Sequence, residues 1–134
     1  MRTSDCVILI VPGPGGSGPD HCQTRWEGRL STARRVEQDD WDGPELGAWT
    51  ARLVEAVEAA STPAVLVAHS LGVATVAHAA PRLPAGRVRG AFLVGLADVE
   101  SPALADLGPS FAPLPRDPLP FPSVLVASRT DPYC

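Results

Sequence analysis

Four short runs of aliphatic residues punctuate the chain: residues 6–11 (CVILIV), 64–68 (AVLVA), 88–95 (VRGAFLVG) and 123–128 (SVLVAS). A weaker run, ARRVE, lies at 33–37. Each strong run is apolar without alternation, the pattern of a strand covered on both faces. Between them lie stretches with helical spacing at residues 20–30, 44–60 and 71–83. In the second of these Leu46, Trp49, Leu53, Val57 and Ala60 recur at steps of three and four, while Glu45, Arg52, Glu55 and Glu58 face elsewhere. That stripe assigns Trp49 to the core. Strand and helix alternate, which predicts an α/β fold: a three-layer, doubly wound, mainly parallel sheet with right-handed crossovers. Ligands of such folds sit at the carboxyl ends of the strands, so the loops after Val11, Ala68 and Ser128 are expected to converge.

Composition narrows the picture. A chain of 134 residues is expected to form one domain with one core and therefore one principal site. The net charge of -4 leaves no basic stripe for phosphates, which argues against nucleic acid as a partner. No apolar run approaches the roughly 20 residues that span a bilayer, so no membrane partner is expected and a soluble cytoplasmic protein is the default. Cys6, Cys22 and Cys134 are odd in number and far apart, so they are read as reduced thiols, without a disulfide framework or a zinc site. Residues 101–123 hold many of the 15 prolines, too many for helix or interior strand. Phe111, Leu114, Leu119 and Phe121 give that segment something to bury, which predicts a packed, lid-like loop.

Two loops carry candidate chemistry. The first, PGPGGSGPDH, fits G-x-G-x-x-G through Gly13, Gly15 and Gly18, with Asp39 about 20 residues on. Three readings stand: a dinucleotide-binding turn, a tight turn and nothing more, or a source of backbone donors for an oxyanion. Pro14 and the late helix start at Pro19 and Asp20 weigh against the first. The second loop is AHSLG. A strand, then Ser70, then a helix opening with Gly72 is the pattern of a nucleophile elbow, with Ala68 where the usual motif has its first glycine. A serine helix cap is the alternative. The Leu71 N–H and the positive end of the helix would face an oxyanion formed at Ser70. After the last strand Asp131 is a candidate for the acid that orients a catalytic histidine, with Asp98 as its competitor and an Asp-Pro turn as the plain alternative.

The stretches VPGPGGSGPDHCQTRW, VEQDDW, VLVAHSLG, PLPFPSVLVAS and DPYC resemble, in order and spacing, the small alpha/beta-hydrolase-fold serine hydrolases typified by YdeN and retinoblastoma-binding protein 9. The resemblance covers nearly the whole chain. It implies Ser70 as nucleophile, Asp131 as triad acid and the loop at 13–16 as part of the oxyanion hole. It also implies that His21 and Trp26 lie beside the site, where His21 either contacts substrate or packs.

In that fold the histidine follows the acid along the chain. The family pattern continues past Asp131 to a Gly-His loop, so the chain reads as a minimal alpha/beta-hydrolase domain over 1–134 without the closing helix-strand-helix elements. His69 adjoins Ser70 and is expected to point away from it. His78 lies about 12 Å along the helix. His21 is the remaining histidine, on a facing loop. Pro14 has no N–H, so Gly15 or Gly16 is expected to donate to the oxyanion beside Leu71.

The expected activity is hydrolysis of a small ester, thioester or amide through an acyl-enzyme, with no metal or organic cofactor and a small molecule as substrate. Without its base this stretch is expected to be impaired, and apolar sheet surface uncovered by loss of the closing helix would favour self-association. A binding module that keeps the fold without catalysis is the alternative from another class.

Overall fold

The computed structural model describes residues 2–132; Cys134, one of the three thiols, falls outside them. Five strands, β1 (Val7–Val11), β2 (Ala33–Arg35), β3 (Ala64–His69), β4 (Val88–Val94) and β5 (Ser123–Val126), form one wholly parallel sheet in the order β2-β1-β3-β4-β5. Helices α1 (Cys22–Arg29), α2 (Leu46–Ala59) and α3 (Leu71–Ala79) join the first four strands in turn, and the proline-rich segment joins β4 to β5. Among the described residues none is long and apolar enough to cross a membrane.

Residues of alternating parity on the strands face the two layers. Leu9, Val11, Leu66, Ala68 and Leu93 pack against Leu53 and Val57 of α2 and Val73 and Val76 of α3. Ile8, Ile10 and Val67 form a smaller core on the face of α1 with Ala33, Leu30 and Phe92. Trp49 is buried, its ring edge-on to Trp41 at 5.7 Å and to Phe111 at 6.0 Å.

Helix limits follow from their end groups. α2 is capped by Glu45, whose carboxylate accepts from the amides of Gly47 at 3.0 Å and Ala48 at 2.9 Å and is thereby held below its usual pKa. α3 stops at Ala79, short of residue 83: Pro81 has no N–H to continue the ladder, and the chain tightens into a 3-10 turn at Ala80–Arg82.

The proline-rich segment is a packed cover, as its apolar residues predict. Phe111 is buried among Trp49, Leu71 and Ala74, and the His78 Nε2–H donates to the Phe111 carbonyl at 2.7 Å. His78 is thus committed to this contact on the flank of α3. One expectation fails. The strand at 123–126 is not covered on both faces: Val124, Leu125 and Val126 are 58%, 54% and 43% exposed at the sheet edge.

Candidate active site

The strand order reverses direction between β1 and β3, the place where open parallel sheets bind ligands. Two loops leave the sheet there. Their close approach is possible only because residue 72 is glycine, where a Cβ would come within 2.1 Å of the Val11 carbonyl oxygen and 2.9 Å of that of Pro12. Gly13 meets the corner from the other side, since a Cβ there would lie 3.0 Å from Ser70 Cβ and 3.4 Å from the Leu71 nitrogen.

Ser70 occupies that corner with φ 55° and ψ -122°, a conformation L side chains rarely adopt. Its amide donates to the Val94 carbonyl at 3.1 Å, tying the corner to β4. A serine cap would have an extended backbone and an oxygen accepting from the next turn. Ser70 has neither: its side chain makes no cap bond to α3. The strain, of order 1–3 kcal/mol for such a residue, therefore has no compensation from capping.

Above the corner is a cleft of about 260 Å³, lined by Gly13, Pro14, Gly15, Ser17 and Gly18 on one side and by His21, His69 and Ser70 on the other. His21 caps α1, its Nδ1 accepting from the Gln23 amide at 3.1 Å. With Nδ1 so used, the ring proton of neutral His21 sits on Nε2. His69 does not simply turn away from the site. Strand alternation puts it on the face of α1, where its ring meets that of His21 edge-on at 4.6 Å. Burial first, then the neighbouring His21, holds the His69 pKa below its ordinary value, with Asp131 acting in the opposite sense. His21 is lowered too, by burial and by the charge of Arg35.

Asp131 lies over the ends of β3 and β4, its Oδ2 3.3 Å from where a Cβ on Gly95 would stand, with the His69 Nε2 3.7 Å from the same point. Asp98 behaves differently. It is exposed and its Oδ1 accepts from the Glu100 amide at 3.2 Å, an ordinary turn contact.

Two expectations need correction. The amides of Gly15 and Gly16 do not face the nucleophile: Gly15 donates to the Trp41 carbonyl at 3.1 Å and Gly16 to the Gly13 carbonyl at 3.2 Å. With Pro14 lacking an N–H, the loop amides without an acceptor among the described residues include those of Gly13 and Gly18. Trp26 is also outside the cleft. It lies a turn down α1, where it packs on Phe92 with ring centroids 6.2 Å apart. The dinucleotide reading loses its basis as well, because α1 begins at Cys22, beyond the glycines.

Sequence reading missed the residues that support the glycine loop. Gln23 is buried and bridges the site, donating to the Val67 carbonyl at 2.9 Å and accepting from Ser17 Oγ at 2.6 Å. Arg35 reaches from β2 to the carbonyls of Gly16 and Ser17. A glutamine on the sheet-facing side of α1 and an arginine in a strand are the signals that could have found them. Among the described residues no group of three or more His, Cys, Asp or Glu side chains is placed to hold a metal.

Comparison with known proteins agrees with this fold and identifies a family. The profile of the family described as "Serine hydrolase" matches residues 8–134. A crystal structure described as a YdeN-like hydrolase, from Pectobacterium atrosepticum, superposes with a TM-score of 0.83 at 25% identity, over 98% of this chain and 68% of that one. No curated protein sequence is significantly similar to the chain.

Proposed function

Because the chain belongs to the serine hydrolase family, we propose that Ser70 is an acyl-accepting nucleophile, acting on a small ester, thioester or amide. The observation that carries this reading is the backbone of Ser70. It is held at φ 55° over a cleft at the switch point of the sheet, and its side chain does not cap the helix.

Ser70 Oγ attacks the acyl carbonyl and loses its proton to a base. The oxyanion is held by the Leu71 N–H at the start of α3 and by a free amide of the glycine loop, Gly13 or Gly18. Collapse expels the alcohol, thiol or amine with the proton returned by the base, and water then releases the acid. Asp131 orients and stabilises the base as it charges.

Neither His21 nor His69 hydrogen-bonds Ser70 among the described residues. The reading therefore requires a histidine supplied from outside the described residues, and the matching hydrolase is longer than the part this chain covers. Residues 1–134 alone should then acylate slowly, by a factor on the order of 10⁶ where the whole contribution of a triad histidine is lost.

Rapid mixing with p-nitrophenyl acetate tests the mechanism. The product of the full reading frame should release a burst of one p-nitrophenol per chain and gain the mass of one acetyl group, and its Ser70→Ala variant should do neither. Steady turnover in that variant would contradict the acyl-enzyme.

A further inference from the structure

The glycine loop carries consecutive left-handed residues, Gly15 at φ 78°, Gly16 at φ 74° and Ser17 at φ 56°. Such a path does not hold itself. Its carbonyls are instead tied from behind by β2 and α1. Arg35 Nη1 donates to the carbonyls of Gly16 and, at 3.4 Å, Ser17, while Nη2 donates to Thr24 Oγ1 at 2.9 Å. Thr24 Oγ1 in turn donates to the Ser17 carbonyl at 2.7 Å. The guanidinium is fixed by Glu27, whose Oε2 lies 3.0 Å from Nε and 2.9 Å from Nη2. The Arg35 and Glu27 side chains are only 14% and 32% exposed, so water screens this pair weakly.

A trans peptide sets its N–H opposite its C=O. Holding the Ser17 carbonyl against Thr24 and Arg35 therefore turns the Gly18 N–H away from them, and Gly18 lines the cleft beside Ser70. We infer that Arg35, anchored by Glu27, is a positioning residue for acylation: it sets the glycine loop so that the Gly18 amide is presented to the cleft as a donor. Resting on the nucleophile reading above, the inference adds which loop amide serves and what orients it. The fork geometry of the guanidinium is required, because Nη1 takes the carbonyls while Nη2 reaches Thr24 and Nη2 and Nε together hold Glu27. Lysine keeps the charge and loses that geometry.

The test uses the full reading frame with Arg35→Lys and Glu27→Gln, the second variant loosening the anchor while leaving arginine in place. Fluorophosphonate acylation is followed over a range of probe concentrations, and the Gly18 amide is followed by nitrogen-proton NMR. Arg35→Lys should slow the limiting acylation rate about tenfold to a hundredfold, with the half-saturating probe concentration little changed and the Gly18 resonance moved. Glu27→Gln should do the same to a smaller degree. An acylation rate in Arg35→Lys equal to the parent's, in folded protein, overturns the inference. A folded parent that is never labelled removes the nucleophile reading, and the loop amide then decides the clamp: a Gly18 resonance unmoved by both variants overturns it, and one moved by both upholds it.

Discussion

The backbone carbonyl of Val11 fills the space that any side chain on Gly72 would need, with 2.1 Å between that oxygen and a Cβ. The clash is with backbone, which has nowhere to move inside a five-stranded sheet. Gly72→Ala should therefore destabilise the fold by about 3 kcal/mol or more. Urea denaturation of the variant measures this. A loss below about 1 kcal/mol would mean that the helix stands further from β1 than described here.

Ser70 presents the opposite case, a residue whose replacement should strengthen the fold. Glycine adopts φ 55° without penalty. Ser70→Gly should raise stability by about 1 kcal/mol while abolishing labelling by acylating probes. The pair of urea midpoint and labelling yield checks it, and a less stable Ser70→Gly variant would argue that the serine side chain supports the fold.

The depressed imidazoles give stability a pH dependence. His21 and His69 bind protons more weakly folded than unfolded. Stability from these groups is thus fully present above their unfolded pKa of about 6.5 and falls as pH drops below it toward the folded values. The facing charges are Arg35 near His21 and Asp131 near His69. Removing the carboxylate charge with Asp131→Asn should lower the His69 pKa further, measured by proton NMR of the ring. A His69 pKa that rises in Asp131→Asn would contradict the arrangement.

Phe111 tests the proline-rich cover. It is fully buried against Trp49 and Leu71, so Phe111→Ala should cost about 3–5 kcal/mol and open residues 101–122 to proteolysis. Cleavage at that segment in the parent protein at the same rate would mean the cover is loose from the start.

Much of this was legible in the sequence for identifiable reasons. The aliphatic runs marked the strands because a doubly covered strand leaves no polar face, and the step of three and four at Trp49, Leu53 and Val57 marked the buried side of α2. The S-x-G corner was legible because few backbones need a small residue two places after a serine between strand and helix. What failed depended on contacts far apart in sequence. Nothing local says that the Gly15 amide will find Trp41 or that Arg35 will find Ser17. The run at Val124, Leu125 and Val126 is as apolar as a central strand, so its exposure among the described residues was legible only from the closing elements expected to cover it.

The central claim is that Ser70 is a nucleophile. Intact-mass spectrometry after fluorophosphonate treatment tests it most directly, on residues 1–134, on the product of the full reading frame and on the Ser70→Ala variant of that product. The account predicts a single adduct on the full product at Ser70, little on residues 1–134 alone and none on Ser70→Ala. A folded full product that takes up no probe, or takes it up equally after Ser70→Ala, would contradict it.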